Sequence, residues 1–520
     1  MSHSSHSARR RAPDPRLPVR AGRLLRVRAI WVTVLAVGSL VVAAMTALYI
    51  ASTTDPLAHL SGLPVAVVNQ DRGAAFGAQR IDIGQQIESG LLAAPAVTDR
   101  LRLEKLTLPQ AEQAMDRDAL YATLVIPPGL TANLLTATGL AAPGGRPGAV
   151  TAAPHLEIFI NQRAGTVGTS LATGILQPAL AVASRQIGRH LAPLVPAGSA
   201  APATRLLLAD PLPVTVVQYR PLPNNAGLGL TPFYIALLTL LCGFIGGGIV
   251  NSVVDSALGY ASTDLGPRWR QREPVPINRW QTLLVKWGVI AVATAVLTAV
   301  MLLVAWGVGM DMPWPWLLWV FTWLCALSVG IGTIALFAMA GNYGQLIGLL
   351  IFVYAGLASA GGTVPVEALP GFLRALSYVE PLRQVIEGTR SILYFNAQGV
   401  AGLTRGTVAA AAGLVFWLVV GGFVVRWYDR RGFYRLRPEI LAHVNQSVQD
   451  FHAEEAREAE QAEQAEQAEQ AEDAAPAPTP APSDAESSNA ESSNAGSSEP
   501  ARPRSGEPGP GASTPGAPMS

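Results

Sequence analysis

Pro232-Phe-Tyr-Ile-Ala-Leu-Leu-Thr-Leu-Leu-Cys-Gly-Phe-Ile-Gly-Gly-Gly-Ile-Val-Asn-Ser-Val-Val254 is apolar from end to end and carries no charge. At a rise of 1.5 Å per residue, roughly 20 such residues span the ~30 Å hydrocarbon core of a bilayer. Four more apolar segments follow, at residues 280–309, 316–340, 346–362 and 405–426. The segment 346–362 is the shortest and must borrow from its flanks. Five such segments within residues 231–427 leave too little polar sequence to enclose them in a water-soluble fold. The class expected is a polytopic α-helical membrane protein, with 231–427 as its embedded working part.

Composition agrees. Half the residues are hydrophobic and 14% are charged, against about 25% in ordinary soluble domains. A net charge of +1 conceals strong segregation along the chain. Cys242 and Cys325 both lie in apolar segments, where a small buried thiol is ordinary, and they define neither a disulfide framework nor a metal site. Arginine carries nearly all positive charge, Lys105 and Lys286 being the only lysines, and with abundant Ala, Gly and Pro this suggests a GC-rich bacterial genome.

Outward from the membrane block, residues 1–28 hold eight arginines and one acid, so this basic N-terminus stays cytoplasmic by the positive-inside rule. Residues 29–51 form an apolar run longer than the roughly 7–15 residues of a signal-peptide core, with no clean cleavage site after it. They read as an uncleaved first membrane helix, making six in all. Residues 52–230 turn soluble and, one crossing later, lie outside the cytoplasm. Strands are expected at 63–69, 120–126, 155–161 and 214–219. Helices are expected at 81–92, at 110–117 with Pro109 at its first position, and through an Ala-rich stretch to about His190. This is a small α/β domain with Pro/Gly linkers near 141–153 and 193–204.

The loop 255–279 carries Arg268, Arg270, Arg272 and Arg279 and is therefore cytoplasmic; residues 363–404 lie outside. Both termini are inside, as expected for a multi-pass protein of the bacterial plasma membrane. The tail, 428–520, begins with arginines, passes through an acidic Ala-Glu-Gln repeat whose period of three builds no lasting apolar seam, and ends in Pro, Ser, Ala and Gly too polar to fold. It is expected to be disordered.

No catalytic constellation is present. The histidines are scattered, no phosphate loop occurs, and neither an enzyme, a cofactor, a metal site nor a nucleic-acid partner is expected. Any ATP site belongs to another chain. Gly243, Gly246, Gly247 and Gly248 allow close helix approach in lipid, with a mobile gate as the alternative. Lys286 lies about two turns from the cytoplasmic face and reads chiefly as a snorkelling side chain. Phe372, Leu373, Leu376 and Val379, then Leu382, Val385, Ile386 and Thr389, recur at helical spacing on either side of Pro381. Each stretch is too short to span; together they would lie in the outer interface or dip back into the bundle, with a plain connecting loop as the alternative.

Leu369-Pro370-Gly-Phe-Leu-Arg374, Glu380-Pro381-Leu382 and Ile386-Glu387-Gly-Thr-Arg390 resemble the re-entrant segment before the last helix in the membrane subunits of type-2 ABC exporters. The soluble domain is similar to that of the YhgE/Pip, or phage-infection-protein-like, branch through Val65-Ala-Val-Val-Asn-Gln-Asp-Arg-Gly-Ala74, Tyr121-Ala-Thr-Leu-Val-Ile-Pro127 and Ile158-Phe-Ile-Asn-Gln162. The similarity covers roughly 29–428. The chain lacks the very long helical insertion common in that branch, and its acidic tail has no counterpart there. The resemblance implies a permease half, working in contact with membrane lipid as a homodimer or with a second permease. A separate ATP-binding subunit would dock on the loop of Arg268, Arg270, Arg272 and Arg279, and the cargo would be an amphipathic or lipid-like substrate or drug. The outer re-entrant segment would comprise Pro370, Glu380, Pro381, Glu387 and Arg390. The same branch also implies a rival reading, a non-transporting scaffold or receptor in secretion-system or envelope assembly or phage entry.

Overall fold

The computed structural model describes residues 28–53, 55–76, 79–140, 153–195, 202–261, 263–265, 268–270, 275, 277–433, 453 and 457. The expected repeat and disordered tail fall almost wholly outside these residues. A helix, α1 (Arg28–Thr53), leads into the α/β domain. The core of that domain is a five-stranded sheet of β1 (Leu63–Asn69), β2 (Leu101–Lys105), β3 (Ala122–Ile126), β4 (Leu156–Ile160) and β5 (Val214–Gln218), in the order β2-β1-β3-β4-β5. The β3–β4 pairing is antiparallel and the others are parallel. β1 is apolar along almost its whole length because both its faces are covered.

On one face α2 (Ile83–Leu92), α4 (Leu130–Ala137) and α5 (Thr166–Leu191) pack Ile87, Leu134 and Leu176 against Val65, Val67 and Leu124. On the other, α3 (Leu108–Met115) sets Ala111 and Met115 on Ala66, Val68 and Val125. Two details differ from the sequence reading. β2 was not expected, although Leu101-Arg-Leu-Glu-Lys105 alternates as an edge strand should. Pro109 occupies the second position of α3, after the Thr107 cap, not the first.

Among the described residues five helices are long and apolar enough to cross a membrane: Thr166–Leu194, Thr231–Ala257, Arg279–Gly307, Pro315–Ala340 and Leu403–Arg430. The first is α5 with its short extension, and it buries Ala172, Ile175, Leu176 and Leu180 at helical spacing against the sheet, so its apolar stripe is already satisfied. The others are α6 (Thr231–Ala257), α7 (Arg279–Gly307), α8 (Pro315–Ala340) and α12 (Leu403–Arg430). Between α8 and α12 lie α9 (Tyr343–Ser359), which carries a π-helical stretch at Leu349–Ala355, then the short α10 (Gly371–Leu376) and α11 (Pro381–Tyr394).

The buried threonines of these apolar helices are satisfied locally, whereas the Trp287 indole N–H of α7 is buried without a partner. Thr239, Thr294, Thr298, Thr322 and Thr333 each donate to the carbonyl four residues earlier, at 2.7–2.9 Å. α8 is the enclosed centre. A Cβ on Gly243 would press on Ala326 and Val329 of α8, one on Gly247 on Thr333, and one on Gly246 would touch Leu297 and Ile290 of α7. Gly248, expected to pack likewise, faces open space instead. From α8, Trp319 and Trp323 donate their indole N–H groups to the Ala295 and Ala291 carbonyls of α7, at 3.1 and 3.0 Å. α7 and α12 leave Val292, Leu303, Val415 and Phe423 exposed, the surface expected of lipid-facing helices.

Lys286 does not snorkel. It is 4% exposed, its Nζ lies 2.7 Å from Asp255 Oδ1, and it donates to Asn251 Oδ1 at 2.7 Å, joining α6 to α7. Removing one partner of a buried pair costs on the order of 3–5 kcal/mol. Lys286→Met is therefore expected to lower unfolding stability in detergent by about that amount, and the double variant Lys286→Met/Asp255→Leu to recover much of it. Unchanged stability of the single variant would refute this role.

Candidate functional site

α11 follows from its sequence. Pro381 supplies the fixed φ of a first helical residue, and Glu380 caps the helix by accepting from the Leu382 and Arg383 amides at 2.8 and 3.2 Å. Glu380 is 3% exposed, so its carboxylate replaces the water those amides would otherwise bind. Gly388 lets the helix lie directly on the Phe321 ring of α8, and Leu382, Val385, Ile386 and Ile392 join the core of the helical bundle. Pro370 stands at the N-cap position of α10, which buries Leu373 and leaves Phe372 exposed.

Two cavities meet at α11. Pro381, Gln384 and Val385 face an apolar one of about 460 Å³, closed by Cys325 and Val329 of α8, Phe352 of α9 and Phe416 and Trp417 of α12. Arg383, Ile386, Glu387 and Arg390 face a charged one of about 380 Å³ between α11 and the α/β domain. Steps of three and four residues keep each set on one side of the helix, so the two cavities lie on opposite faces. In the apolar cavity the amide oxygen of Gln384 is buried without a hydrogen-bond partner.

The charged cavity is held by ion pairs. Glu387 receives Arg383 at 2.7 Å and Arg405 of α12 at 3.3 Å, while Arg390 reaches Asp118 of the α/β domain at 3.5 Å. Both Arg383 and Arg405 also lie over the Tyr378 ring, 5.1 and 5.9 Å from its centroid, and Tyr378 lines the apolar cavity. Burial pushes the Asp118 carboxyl up to about 7, against the pull of Arg390, and pushes the Tyr121 hydroxyl up as well.

Further hydrogen bonds tie the domain to this element. Arg163 donates to the carbonyls of Pro221 and Tyr394, Arg374 to Ser61 Oγ, and Gln398 to the Asp116 carbonyl. Sequence reasoning missed Asp118, Arg163, Arg374 and Gln398 as junction residues. Their partners lie up to 315 residues away, which local pattern cannot reveal.

Of the proposed docking-loop residues, Arg268 and Arg270 form one strand of a short hairpin with Thr263–Leu265, and Arg272 lies outside the described residues. Arg279 opens α7, donates to the Phe433 carbonyl at 2.8 Å and stacks on Tyr428. It joins α7 to the end of α12. The structure thus places Glu380 and Pro381 at the head of α11 and Glu387 and Arg390 on its face toward the α/β domain, with Pro370 at the head of α10 and the arginine hairpin in a separate loop. Among the described residues no group of His, Cys, Asp or Glu is placed to hold a metal ion.

These features define a membrane protein with an α/β domain inserted between apolar helices and latched to a capped helix before the last one. The chain belongs to the family described as "Protein of unknown function (DUF3533)", whose model matches residues 33–418. It is also 26% identical over 190 residues to the uncharacterized protein YhgE of Bacillus subtilis (strain 168), which bears out the resemblance drawn from the soluble domain. That match covers 36% of this chain and 22% of YhgE, so the aligned part is under a quarter of the relative's length. A solved domain described as "a putative ABC type-2 transporter" from Thermotoga maritima MSB8 has 22% identity and a TM-score of 0.20, over 29% of this chain and 83% of that one. That superposition is too weak to bear on fold or function.

Two outcomes are expected of this geometry. Glu380→Ala removes the cap of a buried helix end and should cost about 1–2 kcal/mol, read as a lower unfolding temperature in detergent; an unshifted transition would refute the capping role. For Asp118, the folded state holds a proton that the unfolded chain releases at the ordinary carboxylate pKa. Its contribution to stability is present at low pH and is lost as pH rises to about 7. Asp118→Asn should flatten that part of the pH profile, and a profile parallel to the parent would contradict it.

Proposed function

We propose that the chain is the membrane permease subunit of an ABC-type exporter, moving an amphipathic or lipid-like substrate or drug out of the cytoplasm or inner leaflet. The observation that carries this reading is the pair of cavities on opposite faces of α11, one charged and one apolar. A molecule with a polar head and an apolar body needs both environments at once. The unpartnered Gln384 oxygen, in a mostly apolar cavity that Ser328 and Tyr378 also line, is the kind of polar group that orients a bound molecule.

In this reading six helices span the bacterial plasma membrane, with α1 the first and α9 the fifth. Both termini are cytoplasmic, and the α/β domain and α10–α11 are outside. The subunit works as a homodimer or beside a second permease. A separate ATPase docks on the loop of Arg268, Arg270, Arg272 and Arg279, and its closure moves α6 and α9. Pro370, Glu380, Pro381, Glu387 and Arg390 form the outer re-entrant element, and Gly243, Gly246 and Gly247 set the helix spacing on which that movement depends.

Crosslinking in native membranes, mild-detergent purification and mass spectrometry test the reading. Recovery of a phosphate-loop ATPase in near-equal amount is expected. The triple variant Arg268→Glu/Arg270→Glu/Arg272→Glu, correctly inserted, should lose both that partner and export. Recovery of envelope or secretion proteins alone, with no nucleotide-dependent transport, would replace the exporter by a scaffold.

A further inference from the structure

Resting on that reading but testable without it, we infer that the charged cavity between the α/β domain and α11 binds the anionic headgroup of an amphiphile, a phosphate or carboxylate that also carries a hydrogen-bond donor. The argument begins with charge balance. Five arginines line the cavity against three carboxylates. Glu387 is shared by Arg383 and Arg405, and Asp118 is taken by Arg390. Arg102 pairs with Glu104, which is not part of the lining. Arg117 is exposed and, among the described residues, has no carboxylate within ion-pair distance. The lining therefore carries guanidinium groups that its own acids do not neutralise, and a guanidinium fork matches a phosphate or carboxylate. Partial protonation of Asp118 near neutral pH makes the surplus larger.

The remaining lining acid refines the ligand. Glu367 has a buried carboxylate oxygen without any hydrogen-bond partner. A headgroup that satisfies both Arg117 and Glu367 presents an anion and, beside it, a hydroxyl or amine. The apolar part has a route as well. Arg383 and Arg405 line the charged cavity while lying over Tyr378, whose ring lines the apolar cavity. A head held by these guanidiniums can pass its tail along that ring.

Binding of short-chain phosphatidylglycerol to the purified full-length protein in a neutral detergent, measured by calorimetry, tests this. Phosphatidylglycerol should bind, the matching phosphatidylcholine and inorganic phosphate should bind far more weakly, and Arg117→Gln and Arg405→Gln should each weaken phosphatidylglycerol by about tenfold, the scale of one charge-assisted hydrogen bond. Among the described residues Arg117 makes no ion pair, so its variant tests the ligand and not the structure. Equal binding of phosphatidylcholine, or affinity unchanged in both variants, overturns the anionic site. Equal binding of inorganic phosphate overturns the amphiphile. Phosphatidylglycerol binding without any ATPase partner would leave this site standing and remove the exporter, whereas ATPase-coupled export indifferent to Arg117→Gln would do the reverse.

Discussion

A helix that starts inside a packed bundle has amide hydrogens with nowhere to go, and at the head of α11 the problem is solved by one carboxylate. Glu380 takes two of those hydrogens, and Gly356 of α9 leaves the room it needs: a Cβ there would meet the carboxylate. Pro381 removes a third donor by having none. Everything described around α11 depends on this arrangement, because the start of the helix fixes which side chains point to each side. Shifting it by one residue would rotate the side chains by about 100° and put Gln384 where Arg383 now faces the α/β domain.

Polar groups elsewhere follow the same constraint. In the apolar helices, threonines return their hydroxyl hydrogens to their own backbone, the indoles of Trp319 and Trp323 donate to a neighbouring helix, and one lysine lies against an aspartate and an asparagine. At the domain junction the arginines instead reach carbonyls and carboxylates far away in sequence. The first set stabilises helices and their packing; the second fixes one folded unit against another. The ion pairs around Glu387 are partly exposed, so their worth lies more in geometry than in stability.

Much of this was legible in the sequence because it is written in local pattern. The apolar segments are continuous runs of about 17 to 30 residues, and the two short stretches flanking Pro381 and the strands β1, β3, β4 and β5 are patterns within a dozen residues or fewer. β2 was overlooked although Leu101-Arg-Leu-Glu-Lys105 shows the alternation of an edge strand, since two leucines among charges weigh little beside the buried run of β1. The burial of Lys286 could not be read, because a lysine near a helix end looks the same whether it reaches for water or for Asp255 one helix away. Gly248 sits among glycines that do pack, and only the rotation of α6 separates it from them. Asp118 and Arg390 were individually visible, but their meeting is a property of the whole fold.

Phe321 has a consequence for motion. Its ring is seated between Gly388 of α11 and Gly406 of α12, where a side chain on either would collide with it. Sliding α11 along α8 would bring Gln384 or Ile392, one turn away on the same face as Gly388, against the ring, where only a glycine fits. The contact thus resists movement of α11 along α8, and it does so beside the apolar cavity, which Val385 and Gly406 also line.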